Sequence, residues 1–224
     1  MMKMKNQYSA AIIMLLLIIT AACGGPASRN DTTESETATR EESRVYRAGL
    51  NSLNQEITEQ PVSGSLTITV QGDSATIELS ISSIAPDMMH LAHLHGYEDG
   101  SEASCPGGVQ ADANGDGIVD LIETRDYSGI TMIPFHDNPV SMEIQTDTYP
   151  QADAQGNLYY SAVVSVRELS SALQEKHGVQ DFDFGKFVVY VHGVSEQTTL
   201  PETVQSLPGV PASVTLPVAC GELN

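Results

Sequence analysis

Apolar and polar side chains alternate strictly through Leu66, Ile68 and Val70, pause at Gln71-Gly72-Asp73-Ser74, and alternate again through Ile77, Leu79 and Ile81. A period of two puts every second side chain on one face of a strand, and a Gly-Asp centre between two such runs is a turn signal. The segment therefore predicts a β-hairpin with one apolar face. Further β-rich runs occur at Val140 to Gln145, Tyr159 to Val166, Phe187 to Val194 and Ser213 to Val218, separated by Gly, Pro, Asp and Asn. Only Val166 to His177 reads as a helix. Many short strands with long loops predict an all-β domain, a Greek-key barrel or sandwich, over an α/β arrangement.

The N-terminal stretch has a different grammar. Lys3 and Lys5 precede an apolar run from Ala10 to Ile19, and the small residues Thr20, Ala21 and Ala22 precede Cys23. Such a run is short of the roughly 20 apolar residues that a membrane-spanning helix needs, so it reads as a secretory signal rather than part of the fold. The small-small-Cys ending resembles the bacterial lipobox, with Thr20 where that pattern prefers Leu. The resemblance implies cleavage before Cys23 and a lipid on it, which makes the membrane a partner through that lipid. From Gly24 to about Ser43 the chain is Ser, Thr, Glu, Gly and Asn with almost no apolar residue, too little to offset ordering, and it reads as a flexible tether. The expected organisation is a signal peptide over 1–22, a lipidated cysteine and tether over 23–44, and one β domain over 45–224. Gly24 carries no inner-membrane retention signal, which favours the outer membrane or cell surface.

Charge narrows the partners. The chain carries a formal net charge of −19, and loss of Lys3 and Lys5 with the signal peptide takes it to −21. An acidic field of that size excludes nucleic acid and favours cations. No protein partner can be named from the sequence. Of three cysteines, lipidation of Cys23 leaves Cys105 and Cys220, and an oxidising compartment permits a disulfide between them.

The strongest local motif is Asp112-Ala113-Asn114-Gly115-Asp116-Gly117-Ile118-Val119-Asp120-Leu121-Ile122-Glu123, a calcium-loop pattern. Asp112, Asn114 and Asp116 offer hard oxygens on one side of a curling backbone, and Gly117 permits the sharp turn. Ile118 can give its carbonyl, Asp120 can act through water, and Glu123 can close the sphere with both oxygens. Cys105-Pro106-Gly107-Gly108 before it cannot be an entering helix, so the expectation is a lone structural calcium site. Extracellular modules of this kind bind with Kd on the order of 0.1 to 1 mM.

Histidines supply the second candidate chemistry. His90, His93 and His95 precede Gly96, and His192 closes Val188-Val189-Tyr190-Val191-His192-Gly193. In a strand His93 and His95 point to the same side, and two imidazoles there with a third from another strand can hold copper or zinc. His90 and His177 read as structural or surface residues. The run Met89-His90-Leu91-Ala92-His93-Leu94-His95-Gly96, Cys105 after it, the strand ending in His192, and the terminal Ala219-Cys220-Gly221 resemble copper/zinc superoxide dismutases and equally the chordin-type (CHRD) domains. The likeness covers roughly Gly64 to Gly221, interrupted by the calcium loop. It implies copper on His93, His95 and His192, a Cys105–Cys220 bridge, and, from His136-Asp137-Asn138-Pro139, a fourth ligand in His136.

Two departures bear on activity. No spaced series of histidines and aspartate follows His136 to make the family's zinc site, and Pro217 stands where the dismutases place the arginine that guides superoxide. Superoxide is an anion, and a charge of −21 steers it away. The expectation is a metal-binding, non-catalytic lipoprotein domain with calcium in loop 112–123 and copper at the histidines. The alternatives are a copper-dependent dismutase outside the cytoplasm and a CHRD-like partner-binding module.

Overall fold

The alternating segment forms the hairpin its pattern demands: β2 (Ser63–Gln71) and β3 (Ser74–Ser82) pair antiparallel with Leu66 opposite Leu79 and Ile68 opposite Ile77. All four of those side chains are fully buried, each contributing about 1.5 to 3 kcal/mol relative to exposure. This computed structural model describes residues 43–144 and 146–224; the signal segment, Cys23 and the tether up to residue 42 lie outside the described residues. The two residues that follow, Ser43 and Arg44, are strand rather than tether and open β1 (Ser43–Ser52), which lies antiparallel to β2 with Tyr46 opposite Ile68.

The remaining strands are β4 (Leu91–Gly96), β5 (Ile130–Pro134), β6 (Leu158–Ser165), β7 (Val188–His192) and β8 (Pro217–Glu222). Together they form one eight-stranded antiparallel sheet in the order β5-β4-β7-β8-β1-β2-β3-β6. The chain crosses over repeatedly to achieve that order, as a Greek-key arrangement requires. β8 meets β1 over only Asn51 opposite Cys220 and Ser52 opposite Ala219. The sheet curls, and Ile68 and Leu79 from one half share a core with Leu94, Ile133, Val189 and Val218 from the other. The fold is thus all-β, as the alternation predicts.

β7 is buried on both faces, which explains why its sequence is a continuous apolar run rather than an alternation. Val189 and Val191 face the main core. Val188 and Tyr190 face the other way, into a smaller cluster with Ala103 and Cys220. The long connection between β4 and β5 covers that outer face and is tied down by the disulfide Cys105–Cys220, whose Cα atoms are 5.9 Å apart.

The helix expected over Val166 to His177 is α3 of the chain, after the one-turn helices α1 (Gln55–Thr58) and α2 (Arg125–Ser128); α4 (Ala212–Thr215) follows it. Ser165 caps α3 by accepting from the Glu168 amide, and Leu169 and Leu173 bury its apolar side. Two expected strands are not formed as read. Of the run Val140 to Gln145, the described residues 140–144 form no strand: Pro139–Ser141 is a 3-10 turn with proline at its start, and Met142 has a left-handed φ of 53°. Proline cannot donate to a ladder, and a bulky residue at positive φ ends one. Ser213 to Val218 divides, its first part in α4 and only Pro217 and Val218 in β8.

Candidate metal centre

Strand alternation builds this site. Along β4, Ala92 and Leu94 point into the core, which sends His93 and His95 to the opposite face. Along β7, Val189 and Val191 face the core, which sends Tyr190 and His192 outward beside them. The register sets Leu91 opposite His192 and His93 opposite Tyr190, so the three imidazoles meet across one pair of strands. Both strands shift register beside a site histidine, β4 between Leu94 and His95 against β5, and β7 between Val191 and His192 against β8. Such bulges re-aim side chains.

His93, His95 and His192 each bring a ring nitrogen within 4.8 Å of the other two. Ring centroids are 4.9 Å apart for His93 and His95, 4.7 Å for His93 and His192, and 6.0 Å for His95 and His192. The rings are 3%, 2% and 1% exposed. In each a buried nitrogen has no hydrogen-bond partner: Nδ1 of His93, Nδ1 of His95 and Nε2 of His192. Leaving one buried polar atom unsatisfied costs about 1 to 3 kcal/mol, and three of them in one cluster of rings need an explanation.

The opposite nitrogens show how the lone pairs are presented. His192 Nδ1 donates to the Thr215 carbonyl at 2.7 Å, which forces the proton onto Nδ1 and leaves Nε2 bare. His95 Nε2 lies 3.2 Å from the Thr131 hydroxyl. Protonation is opposed as well. Burial, reinforced by the neighbouring imidazoles, holds His93 and His95 well below the ordinary imidazole range, and burial brings His192 down to about 4. All three rings are neutral at pH 7, the form that binds metal.

The donor set fits one soft or borderline metal ion: three neutral imidazole nitrogens from rigid strands, with one ring already oriented by a backbone carbonyl. Among the described residues no fourth histidine, cysteine, aspartate or glutamate joins them. His136 in particular is elsewhere: its Nδ1 accepts from the Asn138 amide at 3.0 Å and its Nε2 meets the Glu143 carbonyl at 2.7 Å. Neither nitrogen is free, so the fourth ligand that the sequence resemblance implies is not brought to the site. His90 is fully buried, its Nδ1 3.1 Å from the His192 carbonyl and its Nε2 2.8 Å from that of Ala85. Gly193 beside it has φ 112°, and a Cβ there would come within 3.1 Å of the His90 ring.

Tyr190, absent from the candidate ligands, closes one side of the centre. Its ring centroid is 4.7 Å from that of His95, and its hydroxyl donates to Ser128 Oγ at 2.6 Å, which donates to the Ser104 carbonyl at 2.8 Å. Position two before His192 in a strand is a legible signal for this neighbour; the partners Thr215 and Thr131 leave none in the sequence. A groove of about 660 Å³ reaches Cys220 and Asp112 on the same half of the fold, but none of the three histidines lines it.

The acidic loop lies apart. Asp112 accepts from the amides of Gly115, Asp116 and Gly117, and Gly117 holds φ 85° at the turn. Asn114 and Asp116 accept from Asp116 and Ile118 amides respectively. Glu123 accepts from Ala113, Asn114 and Asp120 amides, bringing the end of the loop back to its start. Ile118 is buried in the main core. Asp112 and Glu123 give both of their carboxylate oxygens to the loop's own amides, and no three of the loop's carboxylates gather as closely as the histidines do.

No family model matches the sequence, and no curated protein matches it. Among solved structures the chain is similar to a SOD-like protein from Bacillus subtilis, at 14% identity over 79% of this chain and 96% of that one, with a TM-score of 0.37. A double mutant of that protein gives 14% identity, 79% and 95% coverage, and a TM-score of 0.40. The Cu/Zn superoxide dismutase from Brucella abortus gives 16% identity, 81% and 99% coverage, and a TM-score of 0.37.

Proposed function

We propose that this is an exported, lipid-anchored domain that holds one copper ion on His93, His95 and His192 without catalysing a reaction, with calcium stabilising the 112–123 loop. The observation that carries the copper reading is the convergence of three buried, neutral imidazoles that each keep an unpartnered ring nitrogen. The set contains no carboxylate or thiolate, so a bound ion keeps its charge in a dry site. The solvation penalty grows with the square of the charge, which favours a monovalent ion over a divalent one. Three nitrogens suit copper(I), whereas zinc is almost always four-coordinate. Storage or transfer of copper(I) follows from that chemistry.

Dismutation asks for more than this site offers. Copper would have to change oxidation state with a position open to an incoming anion. The ligands are at most 3% exposed, Pro217 stands where the sequence resemblance expects a guiding arginine, and the net charge repels superoxide. Calcium in the loop is supported by the spacing of its oxygens and by a backbone already curled around them; export and the lipid on Cys23 rest on the sequence signal and are consistent with a disulfide.

The test is titration of the mature chain, with Cys23→Ser to avoid the lipid, against copper(I) under competition with a chelator, alongside copper(II) and zinc. One tight equivalent of copper(I) is expected, and none in the His93→Ala, His192→Ala double variant. Equal affinity in that variant, or tighter zinc, would overturn the assignment. For the loop, calcium should raise the wild-type melting temperature, with Glu123→Gln needing more; a calcium-indifferent wild type would remove that part.

A further inference from the structure

Asp120 sits in the acidic loop yet is only 1% exposed, and its carboxylate joins the end of the loop to a distant segment. Oδ1 accepts from the amides of Ile122 at 2.8 Å and Glu123 at 3.2 Å. Oδ2 accepts from the amide of Gln205 at 2.6 Å, across 85 residues of sequence. A buried carboxylate is tolerated only when its lone pairs are satisfied, and a charge-assisted bond of that length is among the stronger single contacts available.

The Gln205 contact leads toward the histidines. The next residue, Ser206, shares a 2.7 Å hydroxyl–hydroxyl bond with Thr215, and the carbonyl of Thr215 receives the Nδ1 proton of His192 at 2.7 Å. A second tie runs beside it. Asn54 accepts from the Val119 amide at 2.8 Å and donates from Nδ2 at 2.9 Å to the carbonyls of both Val119 and Pro217. Pro217 is the residue paired with His192 across β7 and β8. Residues 119 and 120 are thus linked to both ends of segment 215 to 217, Val119 through Asn54 to the Pro217 carbonyl and Asp120 through Gln205 and Ser206 to the Thr215 hydroxyl.

We propose that Asp120 is a positioning residue for the histidine centre: through Gln205, Ser206 and Thr215 it fixes the tautomer and direction of His192, and so sets the metal affinity of the site. This rests on the copper reading for its affinity arm only. The link itself is independent of any ion. An asparagine at 120 would set an amide group against one of the backbone amides that now donate to the carboxylate, releasing either Gln205 or the end of the loop. Where Gln205 is released, Ser206 is no longer held against the Thr215 hydroxyl, and the residue whose carbonyl receives His192 loses that support.

The experiment compares wild type, Asp120→Asn and Ser206→Ala, the last removing a single hydroxyl from the middle of the chain of contacts. The first readout is the ¹⁵N and ¹H resonance of His192 Nδ1–H in the metal-free protein, which a merely structural loop residue would not move. The second is copper(I) affinity by chelator competition. Both variants should shift the His192 resonance and weaken copper, Asp120→Asn by roughly ten-fold, in the range found for groups behind a metal ligand. An unmoved resonance and unchanged affinity in folded variants would overturn the proposal. If Asp120→Asn does not fold, Ser206→Ala decides alone. If wild type binds no copper, the copper reading fails while the resonance still decides this one.

Discussion

His192 donates its Nδ1 proton to the carbonyl oxygen of Thr215 across 2.7 Å. A carbonyl accepts only, so the bond admits one neutral tautomer, with the lone pair on Nε2. The expected outcome in metal-free protein at pH 7 is a single His192 Nδ1–H tautomer in long-range ¹H–¹⁵N spectra. A dominant Nε2–H form would contradict the arrangement.

Burial of three neutral rings also fixes a pH dependence. An unfolded histidine titrates near about 6.5, while burial lowers His192 to about 4 and takes His93 and His95 well below the usual range. Between those values the unfolded chain binds protons that the folded one does not, so stability rises with pH. The metal-free domain should hold full stability above pH 6.5 and lose it progressively as pH falls toward 4. His192 alone contributes a loss of roughly 3 kcal/mol, an order-of-magnitude figure. Denaturant midpoints at pH 7.5, 6 and 5 check this; a flat series, or one falling only below pH 4 where carboxylates titrate, would contradict it.

Much of this was legible in the residues, for particular reasons. Leu66 to Ile81 alternates because one hairpin face is buried, and Val166 to His177, which reads as a helix, forms one over those residues. His93 and His95 fall on one face by strand geometry alone. β1 escapes the same pattern reading because Arg47, Ala48 and Gly49 dilute the signal of Tyr46 and Leu50, whose burial comes from the shared core they join. His136 carried a ligand-like motif, but the backbone of Asn138 and Glu143 consumes both of its nitrogens. Thr215 and Gln205 act through main-chain atoms, which any residue possesses.

A contact between the hairpin turn and α3 gives a separate prediction. Asp73 accepts from the Arg167 amide at 2.9 Å and from the Ser165 hydroxyl at 2.9 Å, and pairs with the Arg167 guanidinium at 3.1 Å. The Arg167 amide bond, then the Ser165 hydroxyl, hold its carboxyl below the usual range. Its folded pKa is depressed, so its contribution is present above pH 4 and lost as pH falls through the lowered value. Asp73→Ala should lower the melting temperature at pH 7 by a few degrees, as loss of a helix cap does, and by less at pH 2 to 3. An equal drop at both pH values would mean that the charge is irrelevant.

The disulfide ties the cover over the histidines to the strand beside them. Cys220 lies opposite Tyr190 on the outer face, and Cys105 belongs to the connection that supplies Ser104, whose carbonyl ends the hydrogen-bond chain from Tyr190. Closing a loop of 115 residues constrains the unfolded chain, worth about 5 kcal/mol in the chain-entropy model. Replacing both cysteines with serine should therefore cost several kcal/mol in denaturant unfolding. It should also free the cover, speeding deuterium exchange in residues 97–129 more than in β2 and β3, where the hairpin's own ladder protects the amides. Tyr190→Phe isolates the other tether: it removes only the hydroxyl, leaves Ser128 bonded to Ser104, and should speed exchange at Ser104 and Ser128 while leaving the β2–β3 hairpin unchanged. If the double serine variant loosens β2 and β3 as much as residues 97–129, the bridge is a global stabiliser rather than a clamp on this face.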